Sequence, residues 1–125
     1  MNAYKSLNFA EKISQIGPHW TPRVIGRVND QYVKVAKLLG ELVWHAHDEE
    51  DEMFLVVYGD LRIQLAGGRE IALGAGEFYI VPKGVQHNPV AVEEVGIVLI
   101  ETVTTAHTGD VVVDRTVPIE RQLGS

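Results

Sequence analysis

The 125-residue sequence contains no cysteine. That absence removes disulfides, thiolate nucleophiles and cysteine-ligated zinc sites together. Basic residues are scarce beside acidic ones, 11 Lys and Arg against 17 Asp and Glu, for a formal net charge of −6. A nucleic-acid footprint or an anionic membrane surface calls for the opposite sign. No apolar run approaches the roughly 20 residues that cross a bilayer. The opening MNAYKSLNFAEK lacks the basic start and continuous apolar core of a secretion signal. Gly-rich phosphate loops, a nucleophile elbow, internal repeats and linkers are missing as well. The expectation is one cytoplasmic domain over residues 1–125 whose partner is a small molecule, with no nucleic acid and no membrane.

Hydrophobic residues make up 46% of the chain and charged residues 22%, ordinary for a globular protein. One short helix is expected near the start: Asn8 caps it with Glu11 three residues on, Phe9, Ile13 and Ile16 share a face, and Gly17-Pro18 stops it. The rest reads as short strands at 23–28, 32–38, 41–47, 52–58, 61–65, 69–73, 77–81 and 95–102, separated by turn residues such as Asn29-Asp30, Gly59-Asp60 and Gly67-Gly68. Many short strands at close spacing predict an all-β sandwich or small barrel. The barrel core is placed at about 24–102, between an N-terminal helix and arm, 1–23, and a C-terminal arm, 103–125. In that last arm DVVVDRTV is read either as an added edge strand or as an arm laid on a partner. Exposed edges need covering, and two-fold pairs are the commonest solution, so a homodimer is expected, with Trp20–Val28 and this tail as the contacts.

The stretch VWHAHDEEDEMFLVVYG sets two histidines and five consecutive acidic residues against an apolar run. In an extended segment His45 and His47 leave the same face, close enough to share one cation. Asp48, Glu49 and Glu50 read as solvated loop. Glu52 opens the apolar strand, and if it faces inward then Phe54, Val56 and Tyr58 follow it there as candidate pocket wall. Asp51 then points outward, but it stays open as the carboxylate if the turn ends one residue earlier. His87, after the Pro82-Lys83-Gly84 turn, is the fourth candidate. Trp44 alternates with His45 and is expected to face away, in packing. His19 and His107 lie outside the constellation, His19 in a structural or solvated role and His107 within conceivable reach of a barrel mouth.

These residues resemble the two motifs of the cupins, small conserved β-barrels. The first reads G-x5-H-x-H-x(3,4)-E-x6-G, matched by Gly40, His45, His47, Glu52 and Gly59 with the first glycine one residue closer. The second reads G-x5-P-x-G-x2-H-x3-N, matched by Gly76, Pro82, Gly84 and His87 with Ala91 in place of the closing Asn. The resemblance, closest to single-domain bacterial cupins similar to mannose-6-phosphate isomerase, implies a jelly-roll barrel in which His45, His47, Glu52 and His87 bind one divalent metal. Three imidazoles and a carboxylate suit iron, manganese, zinc, nickel or copper. The implied activity is a metal-dependent reaction, of dioxygenase or isomerase type, on a hydroxy acid, phenolic or sugar. A non-enzymatic module holding such a ligand is the alternative. No second carboxylate stands out for acid/base duty, so no further catalytic residue is assigned.

Overall fold

A computed structural model of the chain describes residues 4–123. Asn8 caps the first helix, α1 (Phe9–Ser14), by accepting from the Glu11 N–H at 2.9 Å. Ile13 and Ile16 are buried, whereas Phe9 is exposed and takes no part in the face expected of it. Six strands follow, β1 (Arg23–Val28), β2 (Gln31–Glu41), β3 (Glu52–Tyr58), β4 (Leu61–Leu65), β5 (Arg69–Leu73) and β6 (Phe78–Val81). A long strand, β7 (His87–Thr102), and a second short helix, α2 (Ile119–Leu123), complete the described chain. All pairings are antiparallel.

The sheet is organised around β7. Its first residues pair with β4, from His87 opposite Leu65 to Val90 opposite Arg62. Its later residues lie between β2 and β3, so the order there is β1-β2-β7-β3-β6. One strand thus serves both leaves of the barrel. It begins eight residues earlier than the sequence suggests, because Pro89 and the charged pair Glu93-Glu94 obscure its pattern. The expected strand at 41–47 does not form. Strand β2 ends at Glu41, and His45 keeps only an isolated bridge to His87.

Alternation along β3 separates two apolar layers. Phe54 and Val56 are buried in the barrel core with Ile63, Ile97 and Leu99. Leu55 and Val57 face the other way and pack against Ile13, Ile16, Val35 and Val98, under α1. Full burial of each isoleucine contributes about 1.5–3 kcal/mol, enough to hold so short a helix in place. Tyr58 departs from the expected inward face. The register with β7 shifts between Val56 and Tyr58, and the ring lands over Gly96, where a Cβ would collide with it. Its hydroxyl donates to Glu94 at 2.8 Å, on the α1 side of the sheet. A bulge moves a side chain across the sheet without changing the sequence spacing.

The C-terminal arm adds no edge strand to the sheet. Residues of DVVVDRTV form turns in which Thr108 and Thr116 hydroxyls bond each other at 2.8 Å and Thr116 accepts from the Val113 N–H at 2.9 Å. The arm then folds back on its own barrel. Lys34 donates to Gln122 of α2 at 2.6 Å, and Arg115 bonds the Glu41 carbonyl while lying 5.8 Å over the Trp20 ring. Trp20 itself is buried in the barrel, with its indole N–H given to the Leu39 carbonyl at 2.7 Å.

Candidate metal centre

The two motif segments are joined by backbone bonds. His45 N–H donates to the His87 carbonyl at 3.0 Å, His87 N–H returns to the His45 carbonyl at 2.8 Å, and Gly84 N–H reaches the His47 carbonyl at 2.8 Å. These bonds bring loop 42–47 alongside the turn before β7. Gly40, whose φ of 84° is open mainly to glycine, sits at the β2 bulge where the chain starts toward that loop. Glu52 opens β3 opposite Glu101 of β7 and Val81 of β6, which aims its side chain into the barrel.

His45, His47, Glu52 and His87 converge there. All four are buried, and one ligand atom from each lies within 4.8 Å of the others. The imidazole centroids are 4.3 to 5.6 Å apart. Glu52 Oε1 stands 3.4 Å from His47 Nε2 and 3.3 Å from His87 Nε2. Asp51 is exposed and accepts from the Lys83 N–H at 2.9 Å, a bond that tethers the turn, so Glu52 is the carboxylate of the cluster.

The orientation of the rings is fixed from behind. His45 Nδ1–H donates to the Val43 carbonyl at 2.8 Å and His87 Nδ1–H to the Val85 carbonyl at 2.9 Å. Each bond leaves an Nε2 lone pair turned toward the cluster, the usual way a protein prepares imidazole as a ligand. Burial, then the neighbouring His87, lowers His45 to about 4, which keeps it neutral. Burial also pulls His47 down, but the contact and charge of Glu52 outweigh it and hold His47 above the ordinary histidine value. Glu52 shows the converse: burial pushes it up, yet His47 and His87 hold it well below the usual carboxylate range. A negative carboxyl buried among imidazoles demands positive charge in their midst.

A divalent cation meets that demand. His47 Nε2, His87 Nε2 and Glu52 Oε1 are all buried without a geometrically adequate hydrogen bond. Orphaned polar atoms of this kind need a partner. With three neutral imidazoles and one carboxylate, a divalent ion gives a net charge of +1, far less costly to bury than a bare carboxylate. The residues present fit the ion.

Behind Glu52 lies a second buried network. Lys34 and Glu101 are 1% and 2% exposed and stand 3.1 Å apart. Burial and the charge of Glu52 raise the Glu101 carboxyl well above its ordinary value, against the pull of Lys34. Nothing local in the sequence marks this pair, which meets only through the pairing of β2 with β7.

In front of the cluster is a small, mostly apolar cavity of about 20 Å³ bounded by Trp20, Leu38, Phe54, Leu99, His45 and Glu52. Val56 is core and does not line it, and Tyr58 is on the far side of the sheet. His107 does line it, as its position beyond the barrel strands scarcely suggested. His19 binds Glu94 at 2.8 Å, and Trp44 is partly exposed beside a separate surface hollow with Gln64 and Arg69. A wider groove of about 590 Å³ near Asp60, Arg62 and Glu94 contains none of the four clustered residues.

An antiparallel β-barrel with a buried three-histidine, one-glutamate cluster defines a small barrel protein equipped with metal-ligand side chains. The family model for the cupin domain matches residues 33–103. The chain belongs to the cupin family. It resembles the crystal structure of a cupin-2 domain containing protein from Shewanella frigidimarina, with 47% identity and a TM-score of 0.74 over 77% of this chain and 93% of that one. Protein NMB1881 of Neisseria meningitidis is similar too, 32% identical with a TM-score of 0.72 over 78% and 99%. An uncharacterised protein of Bacillus subtilis, YdbB, is 38% identical over 63 residues, half of this chain and 56% of YdbB. Among the described residues, no helix is long and apolar enough to cross a membrane.

Proposed function

We propose that this cupin holds one divalent transition metal through His45, His47, Glu52 and His87 and turns over a small oxygen-bearing molecule at that centre. The observation that carries the reading is the convergence of four buried side chains in which His47 Nε2, His87 Nε2 and Glu52 Oε1 lack a hydrogen-bond partner, while the His45 and His87 rings are held by backbone carbonyls. When bound, such an ion supplies Lewis acidity or a redox centre at positions the four side chains leave open. The chain's own residues do the rest. The carbonyls of Val43 and Val85 keep two imidazoles in the ligating tautomer. Glu52 neutralises half of the ion's charge. Phe54, Leu99 and Trp20 exclude water from the cavity, which strengthens every electrostatic contact inside it. The substrate class is a hydroxy acid, phenolic or sugar small enough to enter with limited movement of the barrel mouth.

The test is a panel of such compounds with iron-, manganese-, nickel- and zinc-loaded protein, following binding and product together. Turnover that depends on the metal and disappears in His47→Ala is the expected result. Tight binding without product in any loaded form would make the protein a binding module instead. We also propose a cytoplasmic homodimer, formed through the open edges of β1 and β6, where Val28, Phe78 and Ile80 are exposed. A monomeric mass in solution at micromolar concentration would refute it.

A further inference from the structure

One polar side chain at the cavity is not used by the four-residue cluster. Of the ionisable side chains lining it, His45 and Glu52 belong to the cluster and the third is His107. The Trp20 indole N–H is already committed to the Leu39 carbonyl. The His107 ring is held from the arm: its Nδ1 accepts the Val117 N–H at 2.9 Å. A nitrogen that accepts carries no proton, so the neutral ring has its proton on Nε2. Burial, the largest influence, lowers this histidine to about 4, so the neutral form persists at physiological pH. His107 is therefore a fixed neutral donor beside the cluster.

The arm that carries it is fastened on both sides. Gly109 has a φ of 59° and lies so close to the Ala46 carbonyl that any side chain there would clash, which seats the arm directly on the His45–His47 loop. On the other side Gln122 takes the buried Lys34 ammonium and gives its own N–H to the Val117 carbonyl at 2.7 Å. That second bond braces the residue whose N–H sets the His107 tautomer.

We propose that His107 is the specificity-determining donor of this site, its Nε2–H binding an oxygen of the small molecule held beside Glu52 and the three histidines. This rests on the metal reading above. A neutral donor in an apolar wall selects an acceptor oxygen, such as a carboxylate, enolate or alkoxide. A molecule presenting only N–H groups would leave donor facing donor and is rejected, since unpaired buried polar groups discriminate strongly. The cavity has room for about one water, so a larger ligand needs some movement of the barrel mouth before its oxygen meets His107.

The experiment uses the full-length zinc-loaded protein with formate as the probe, an anion of one carboxylate. His107→Phe removes the donor and keeps a ring, and His107→Gln restores an N–H near the Nε2 position. The expected result is one zinc per chain in all three proteins, formate affinity reduced by about tenfold or more in the Phe variant, and most of it recovered in the Gln variant. The His107 Nε2 proton and nitrogen resonances of wild type should shift on adding formate, a change that a residue merely pinning the arm would not produce. Should the Phe variant fail to fold, the Gln variant and the resonance shift decide the matter. Unchanged formate affinity in a folded Phe variant, or an unmoved resonance, overturns the proposal. Loss of zinc together with formate in that variant would make His107 a metal ligand and also overturns it. Zinc bound by wild type without formate binding defeats this proposal alone, whereas failure of wild type to bind zinc defeats the metal reading beneath it.

Discussion

Replacing Lys34 with methionine isolates the buried carboxyl behind the metal cluster. Lys34 Nζ stands 3.1 Å from Glu101 Oε1 and 2.6 Å from Gln122 Oε1, and the pair is almost fully enclosed. Methionine preserves most of the packing volume but leaves Glu101 facing Glu52 with no cation, and its Oε2 already lacks a hydrogen-bond partner. Breaking a buried pair from one side costs about 3–5 kcal/mol. For a domain of this size that is a fall in Tm of about 10–20 °C. The loss depends on pH in a definite direction. The folded-state value of Glu101 is raised above the ordinary 4.5, and removing Lys34 raises it further. Folding therefore takes up a proton, so stability is retained below the unfolded value and lost as pH rises through the folded one. Thermal unfolding of the metal-free variant, followed by circular dichroism, should show a modest deficit near about pH 5 and a large one near about pH 8. Lys34→Met combined with Glu101→Leu should recover most of the stability, since an apolar replacement of a buried pair is often neutral. A single variant as stable as wild type at both pH values would refute the reasoning.

The carboxylate assignment predicts that Glu52→Gln weakens metal binding far more than Asp51→Asn, measured by calorimetry, because Asp51 only tethers the Lys83 N–H. Acidification should weaken metal binding from the proton competition at His47, held above 6.5 by Glu52, with His45 at about 4 contributing only in stronger acid. Binding at neutral pH should accordingly release protons, visible as buffer-dependent heats. Chelation should leave the β signal intact, since the barrel has its own apolar core. Metal at a free concentration 1,000 times its dissociation constant should then stabilise the fold by about 4 kcal/mol.

How far the sequence carries the structure depends on what each element asks of it. The strands β1, β3, β4 and β5 are bounded by turn residues and alternate cleanly, and their observed bounds are those read from the sequence. The cluster was legible for a related reason. Its four side chains come from two short segments, and the motif spacing registers them without knowledge of the pairing. What spacing cannot register is a bulge, which carried Tyr58 across the sheet, or a proline inside a strand, which hid the first half of β7. Nor does local pattern reveal partners distant in the chain. Lys34 and Glu101 meet only because β2 pairs with β7, and Gln122 reaches Lys34 only because the arm folds back. His107 has the same origin: nothing near it in the chain marks a cavity, and the backbone N–H that sets its tautomer is ten residues away.

The most direct test of the metal centre is an anomalous-difference map of crystals grown with zinc or cobalt. One peak per chain is expected, bonded at about 2.0–2.2 Å to Nε2 of His45, His47 and His87 and to the Glu52 carboxylate. Metal-soaked crystals with no peak among these four side chains, or with the ion held elsewhere on the chain, would contradict the account.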